Sequence, residues 1–243
     1  TGNRFLQDQV DALAGDKKDD LAKAKAIYAY VRDSIKTKQS VSGSKASYNI
    51  REVLNKKEGS RLGVNLLLIA MLRRAGLESE PVLLATRGNE RLNELYPDPD
   101  NINYAVAKIK ANQQEYFLDA SERYMPFGFL LPDCYNGYCR IVNETGGATS
   151  LEPEHLRNKT TVMVTISNAD TNKLQLKVDQ QLGFIQSLSF REGWAKDTSA
   201  ALKMIKKEIA HNTFPTTLDR YSIEHLDNPD LPLTMHYEAT MDF

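Results

Sequence analysis

Residues Glu58–Leu77 read EGSRLGVNLLLIAMLRRAGL, the stretch that most restricts what the chain can fold into. A polar turn opens a run from Val64 to Leu72 that is apolar except at Asn65 and ends at Ala75-Gly76. Glycine there supplies a left-handed cap, so the pattern predicts a helix beginning near Gly63 and stopping at Ala75-Gly76. A helix apolar on nearly every side belongs inside a core. It falls short of the about 20 apolar residues needed to cross a bilayer. Its N-terminus carries the positive end of the helix dipole, a place that favours an anionic group.

Around this helix the chain sorts into segments. Asp19–Lys38 predicts an amphipathic helix with Ala26, Ile27, Tyr30, Val31 and Ile35 on one face. A polar loop, 36–47, and a short helix around Ile50–Asn55 follow. Glu80–Thr86 predicts a strand and 88–101 a surface loop rich in Pro and Asp. Asn103–Lys110 and Glu115–Asp119 predict two strands joined at Asn112-Gln113. The segment 143–153, NETGGATSLEP, lacks periodicity and is rich in turn formers, so a domain boundary is placed there, giving domains 1–148 and 149–243. Beyond it, 160–167 and 173–179 alternate as antiparallel strands. Asp197 caps an expected helix over 198–211, with Leu202, Ile205 and Ile209 inward, and two strands follow near 218–226 and 232–242. The chain starts at Thr1 and stops in a strand-like MHYEATMDF, which reads as a piece of a longer protein whose C-terminal domain is truncated.

With 31 basic and 32 acidic residues the formal charge is −1, which argues against nucleic acid or an anionic membrane as an obligatory partner. The cysteine pair lies in Cys134-Tyr-Asn-Gly-Tyr-Cys139. Asn136-Gly137 is a strong hairpin signal, and a two-residue hairpin would set Cys134 opposite Cys139. The reading stays open between a cross-strand disulfide, implying an oxidising compartment, and two half-buried thiols beside a turn. No metal or cofactor is expected: Asp98, Asp100 and Asn101 lack EF-hand spacing, and no His or Cys pair has zinc-ligand spacing.

The segments IYAYVRDSIK (27–36), LNKKEGSRLGVNLLLIAMLRRAGLESEPVLLATR (54–87), NYAVAKI (103–109), YFLDAS (116–121) and PFGFLLPDCYNG (126–137) together resemble the bacterial transglutaminase-like superfamily. The variety they resemble is carried in large secreted proteins of Bacteroidetes type, between β-rich domains of unknown function. The resemblance implies an α+β fold: a papain-type core with helices packed on an antiparallel sheet, followed by a smaller β-rich domain containing one helix. It also implies a periplasmic, cell-envelope or secreted location. Active members use a Cys–His–Asp triad for acyl transfer. Matching residue by residue, the cysteine position falls on Arg61, the histidine position on Tyr104 and the aspartate on Asp119, so the carboxylate alone is kept. All four histidines (His155, His211, His225, His236) lie beyond residue 148, so the module holds no Cys–His dyad.

Arg61 is then read either as an anion receptor at a helix N-terminus or as a plug that pairs with Asp119 and fills the old cleft; plugging is favoured because an unpaired buried carboxylate is costly. Tyr104 is read as a packed strand tyrosine. Ser60 is the fallback nucleophile, with Lys56 or Lys57 as its only nearby base, and a solvated lysine has the wrong protonation state for that task. The leading expectation is a non-catalytic module that binds a protein, a peptide or flanking domains of the same chain, with Arg61 and Asp119 lining the contact. The rivals are a hydrolase or amide-transferring enzyme with a rearranged site, and a purely architectural spacer.

Overall fold

The computed structural model describes residues 4–38, 49–96, 98–210 and 214–242. It divides into two compact units, Thr1–Leu156 and Arg157–Phe243. The polar loop expected over 36–47 falls mostly outside the described residues, as does His211.

The first unit begins with α1 (Gln7–Ala14) and α2 (Asp20–Ser34), the latter capped by Asp19, whose carboxylate accepts from Ala22 N at 2.8 Å. A two-residue strand, β1 (Lys36–Thr37), pairs in parallel with β2 (Glu58–Gly59) on either side of α3 (Ile50–Lys56). The helix α4 (Arg61–Arg74) then starts two residues earlier than Gly63, because Ser60 caps it by accepting from Gly63 N at 3.1 Å. It ends as expected: Gly76 takes φ +82°, and Leu77 N returns to Leu72 O at 3.1 Å. Val64, Leu67, Leu68, Met71 and Leu72 are fully buried, in keeping with an apolar surface on all sides. The strands β3 (Ser79–Leu84), β4 (Tyr104–Ala111), β5 (Gln114–Leu118), β6 (Gly137–Ile141) and β7 (Gly147–Leu151) form an antiparallel sheet in the order β5-β4-β3-β6-β7. The β4–β5 turn is the expected one, with Asn112 and Gln113 at φ 50° and 64°. α4 lies on β4 and β3, with α2 and α3 against its other sides.

The second unit has a four-stranded antiparallel sheet made of β8 (Thr161–Asp170), β9 (Lys173–Gln181), β10 (Thr216–Glu224) and β11 (Thr234–Asp242), in the order β10-β11-β9-β8. Between β9 and β10 run α5 (Phe184–Lys196) and α6 (Thr198–Ala210). One helix was expected and two are present. Asp197, extended at φ −156° and ψ 95°, ends the first and caps the second, accepting from Ala200 N at 2.9 Å. α5 buries Phe184, Ser187 and Arg191, a polar-apolar mixture without the clean stripe that marks a helix in sequence.

Two local expectations are corrected. The segment 143–153 contains β7, which pairs with β6 from Gly137↔Leu151 to Ile141↔Gly147, and the compact unit continues to Leu156. His155 therefore lies within the first unit, where its Nδ1 accepts from Glu152 N at 3.3 Å in a short 3-10 turn. Nor do Cys134 and Cys139 face each other across a hairpin. Cys134 ends a 3-10 turn, Pro132–Cys134, while Gly137 at φ +90° starts β6, which places Cys139 opposite Thr149. Both cysteines are free and buried. The Asn-Gly signal is overridden because β6 pairs with the distant β3 and with the β7 that follows it rather than with the chain just before it.

Candidate functional site

The three positions matched to the triad come together at the N-terminus of α4. Tyr104, first residue of β4, donates its hydroxyl to Asp119 Oδ2 at 2.6 Å and accepts from Arg61 Nη1 at 2.9 Å. The phenol thus stands between residue 61 and the carboxylate, with one bond to each side. Connectivity of a nucleophile–base–orienter chain is kept while every link is chemically changed.

Asp119 is fully buried, yet it is not left bare. Its Oδ1 accepts from Asn65 Nδ2 at 2.9 Å, from Ser121 N at 3.0 Å and from Ser121 Oγ at 2.6 Å. Four donors on one carboxylate compensate its removal from water. The expected direct pairing of Arg61 with Asp119 is corrected: Arg61 Nη1 forms its ion pair with Glu122 Oε1 at 2.5 Å, and Tyr104 relays between the guanidinium and Asp119. Asp119 is accordingly an anchor rather than a group that faces a ligand, whereas the Arg61 side chain keeps 40% of its surface exposed.

The loop carrying these acids is pinned from behind. The buried Tyr28 hydroxyl of α2 lies 3.1 Å from Asp119 O and 3.0 Å from Met125 O, Arg32 Nη1 donates to Met125 O at 3.0 Å, and Thr37 Oγ1 donates to Ser121 O at 2.7 Å. These staples set the position of Glu122, which sequence reasoning missed for want of any periodic signal. Asn65 was visible as the one polar break in the Val64–Leu72 run. Four residues after Arg61, it shares that residue's helix face, and its amide holds three groups: Ala105 O at 2.9 Å, Asp119 Oδ1, and Ala120 N, which donates to Asn65 Oδ1 at 3.0 Å.

Burial and neighbouring charges shift the titratable groups of the site. Burial, reinforced by the neighbouring Asp119 carboxylate, pushes the Tyr104 phenol far above its usual range, so it remains a neutral donor. The Arg61 guanidinium is moved up despite partial burial, because Tyr104, Glu122 and Asp119 favour its charge. Ser60 uses its hydroxyl oxygen as the helix cap. The lysines once considered as its base are spent elsewhere, Lys56 on Glu52 at 2.5 Å and Lys57 on the Tyr30 hydroxyl. Burial also pushes both thiols up, Cys134 strongly and Cys139 to about 11, which makes them poor nucleophiles. Among the described residues, no group of three or more His, Cys, Asp or Glu side chains could hold a metal ion.

The α+β core that carries this site, with helices packed on an antiparallel sheet, is that of a transglutaminase-like fold. The family model of the transglutaminase-like superfamily matches residues 7–125, all within the first unit. No curated protein matches the chain. Among solved structures, a crystal structure from Parabacteroides distasonis ATCC 8503 described as a "putative protease" is similar, with 11% identity and a TM-score of 0.48. That likeness covers 100% of this chain and 50% of the other, so the chain spans half the length of that protein. Among the described residues, no helix is long and apolar enough to cross a membrane.

Proposed function

We propose that this transglutaminase-like domain is non-catalytic and serves as a binding or assembly module of a larger secreted or cell-envelope protein, with a protein, a peptide or a flanking domain as its partner. The observation that carries this reading is the Arg61–Tyr104–Asp119 relay. A guanidinium cannot attack an acyl carbon, and a phenol held neutral beside a carboxylate cannot take a proton from a nucleophile. The relay satisfies the old catalytic centre with its own side chains.

A spacer role is the second reading, favoured by the engagement of Arg61 with both Glu122 and Tyr104. Replacing Arg61 with alanine separates the two: a spacer loses a little stability only, whereas a receptor also loses a bound anion. The non-catalytic reading is tested with acyl-transfer probes, a fluorophosphonate and an iodoacetamide, followed by intact-mass analysis of the native chain. The expected result is no stoichiometric labelling. Rapid labelling at Ser60 or Cys134, together with amide turnover that disappears in Ser60→Ala or Cys134→Ala, would overturn it and restore the rearranged-enzyme reading.

A further inference from the structure

Away from the triad-derived site, ionisable side chains also gather on the face of the second unit's sheet that its helices do not cover. Strand alternation fixes that face. Met235, Tyr237 and Ala239 of β11, with Leu176 of β9, join the core that Leu202 and Ile205 of α6 close over. Their neighbours Lys177, Asp179, His236 and Glu238 therefore point the other way. The register carries two rows across the sheet, Lys177↔Glu238↔Arg220 and Asp179↔His236↔Ser222. All six residues line a depression of about 350 Å³, at the lower end of the roughly 300–1,000 Å³ usual for small-molecule sites.

The polar groups of this depression are not all spent. Arg220 is matched by Glu238, with Nε at 3.0 Å and Nη2 at 2.7 Å from Oε2. His236 Nδ1 is matched by Asp179 Oδ1 at 2.6 Å. Among the described residues, no hydrogen bond or ion pair engages Lys177 Nζ or Ser222 Oγ. His236 Nε2 has no hydrogen-bond partner either, and the exposed Glu224 of β10 approaches it only to 3.5 Å. Lys177, Arg220 and a protonated His236 thus face Asp179 and Glu238, with one positive charge in excess. β8 adds no charge on this face, where Met163 and Thr165 pair with Asp179 and Lys177.

The surplus sets the chemistry of a ligand. An ammonium, a free hydroxyl and an imidazolium N–H are all donors, so their complement is an acceptor with negative charge. One surplus charge suits a monoanion, whereas a doubly charged phosphate would be repelled more strongly by Asp179, Glu224 and Glu238. Glu224 already brings a carboxylate towards Nε2, at a distance too long for a hydrogen bond. A carboxylate free to come closer would take over that approach.

We infer that the depression is a binding site for a small molecule bearing one carboxylate, which Lys177 Nζ and Ser222 Oγ hold against the His236 ring in place of Glu224. The bond to Asp179, with help from Glu224, raises the imidazole above its ordinary value and so extends the pH range over which the ring attracts an anion. The site shares no residue with the Arg61–Tyr104–Asp119 relay, so its failure would leave the non-catalytic reading standing.

The test is an NMR titration of the 243-residue chain, with N-acetylalanine as the probe and N-acetylalaninamide as its uncharged counterpart. Four histidines give four ring signals, and His236→Gln identifies the one that matters. The expected result at pH 6 is a saturable shift of that signal with a dissociation constant of roughly 1–10 mM, as befits an open, solvated site. Binding weakens about fivefold or more at pH 9, where the imidazole has lost its proton and Lys177 keeps its own. At pH 6 Lys177→Gln weakens it about tenfold and Glu224→Gln tightens it about threefold. Both side chains are exposed, so the circular dichroism spectrum stays unchanged. No saturation by roughly 100 mM, an equal response to the amide, or full binding in Lys177→Gln would each overturn the inference. Tighter binding of inorganic phosphate than of N-acetylalanine would overturn the choice of a carboxylate.

Discussion

The polar centre of the first unit and the β8 edge of the second are opposite solutions to one problem, that of exposed or buried groups lacking partners. At Asp119 the chain supplies every partner itself: four hydrogen-bond donors reach one buried carboxylate, and the phenol that provides one of them is itself held by Arg61. At β8 no strand of the sheet pairs with the outer edge, and its residues are exposed, although the same sheet protects its other edge with charge.

The contrast is broken most sharply at Asp119. Asp119→Ala takes the acceptor from one Asn65 N–H, the Ser121 N–H and hydroxyl and the Tyr104 hydroxyl, and should destabilise the first unit by roughly 3–5 kcal/mol, as read by urea unfolding. Should the loss be under about 1 kcal/mol, the network would be ornamental rather than stabilising. Tyr104→Phe keeps the ring and removes both links of the relay, at an expected cost of about 1.5–3 kcal/mol, because both partners are charged. Arg61→Ala should cost about 1 kcal/mol or less, since the Arg61–Glu122 pair is partly exposed and screened. A double-mutant cycle with Tyr104→Phe should show coupling between the two positions.

The second unit carries a polar cluster on the sheet face opposite its helices. His236 Nδ1 lies 2.6 Å from Asp179 Oδ1 and Nε2 lies 3.5 Å from Glu224 Oε1. The bond to Asp179, opposed by burial and assisted by Glu224, raises the imidazole above its ordinary value. A raised histidine contributes stability that is fully present below its unfolded value of about 6.5 and fades as pH rises through the folded one. The second unit's melting temperature should therefore fall modestly from pH 6 towards pH 8 in wild type and stay flatter in His236→Gln. The smallest effect is at the thiols. With Cys139 at about 11, native chain should react slowly with a disulfide reagent at pH 8 and quickly once unfolded.

What could be read in sequence follows from the range of the interactions involved. The α4 helix announced itself through Val64–Leu72 and Gly76, because burial and capping are local signals. Tyr104 and Asp119 were matched through the resemblance of their strands to the transglutaminase-like superfamily, and their side chains do meet. Glu122 could not be read as the partner of Arg61, since its place depends on Tyr28, Arg32 and Thr37 pinning a loop from other elements. β7 escaped notice because Gly147–Leu151 has weak strand propensity and is held by pairing with β6. The Asn136-Gly137 dipeptide misled for the converse reason, a strong local preference losing to the pairing of β6 with β3 and β7.

The claim that matters most is that the relay has replaced catalysis, and amide turnover decides it. Release of ammonia from a glutamine peptide and incorporation of a primary amine would be followed side by side for wild type, Arg61→Ala and Tyr104→Phe. A closed relay gives three rates equal to that of buffer. A wild-type rate above buffer that falls in Tyr104→Phe would show Tyr104 acting on substrate protons, and the site would have to be read as an enzyme's.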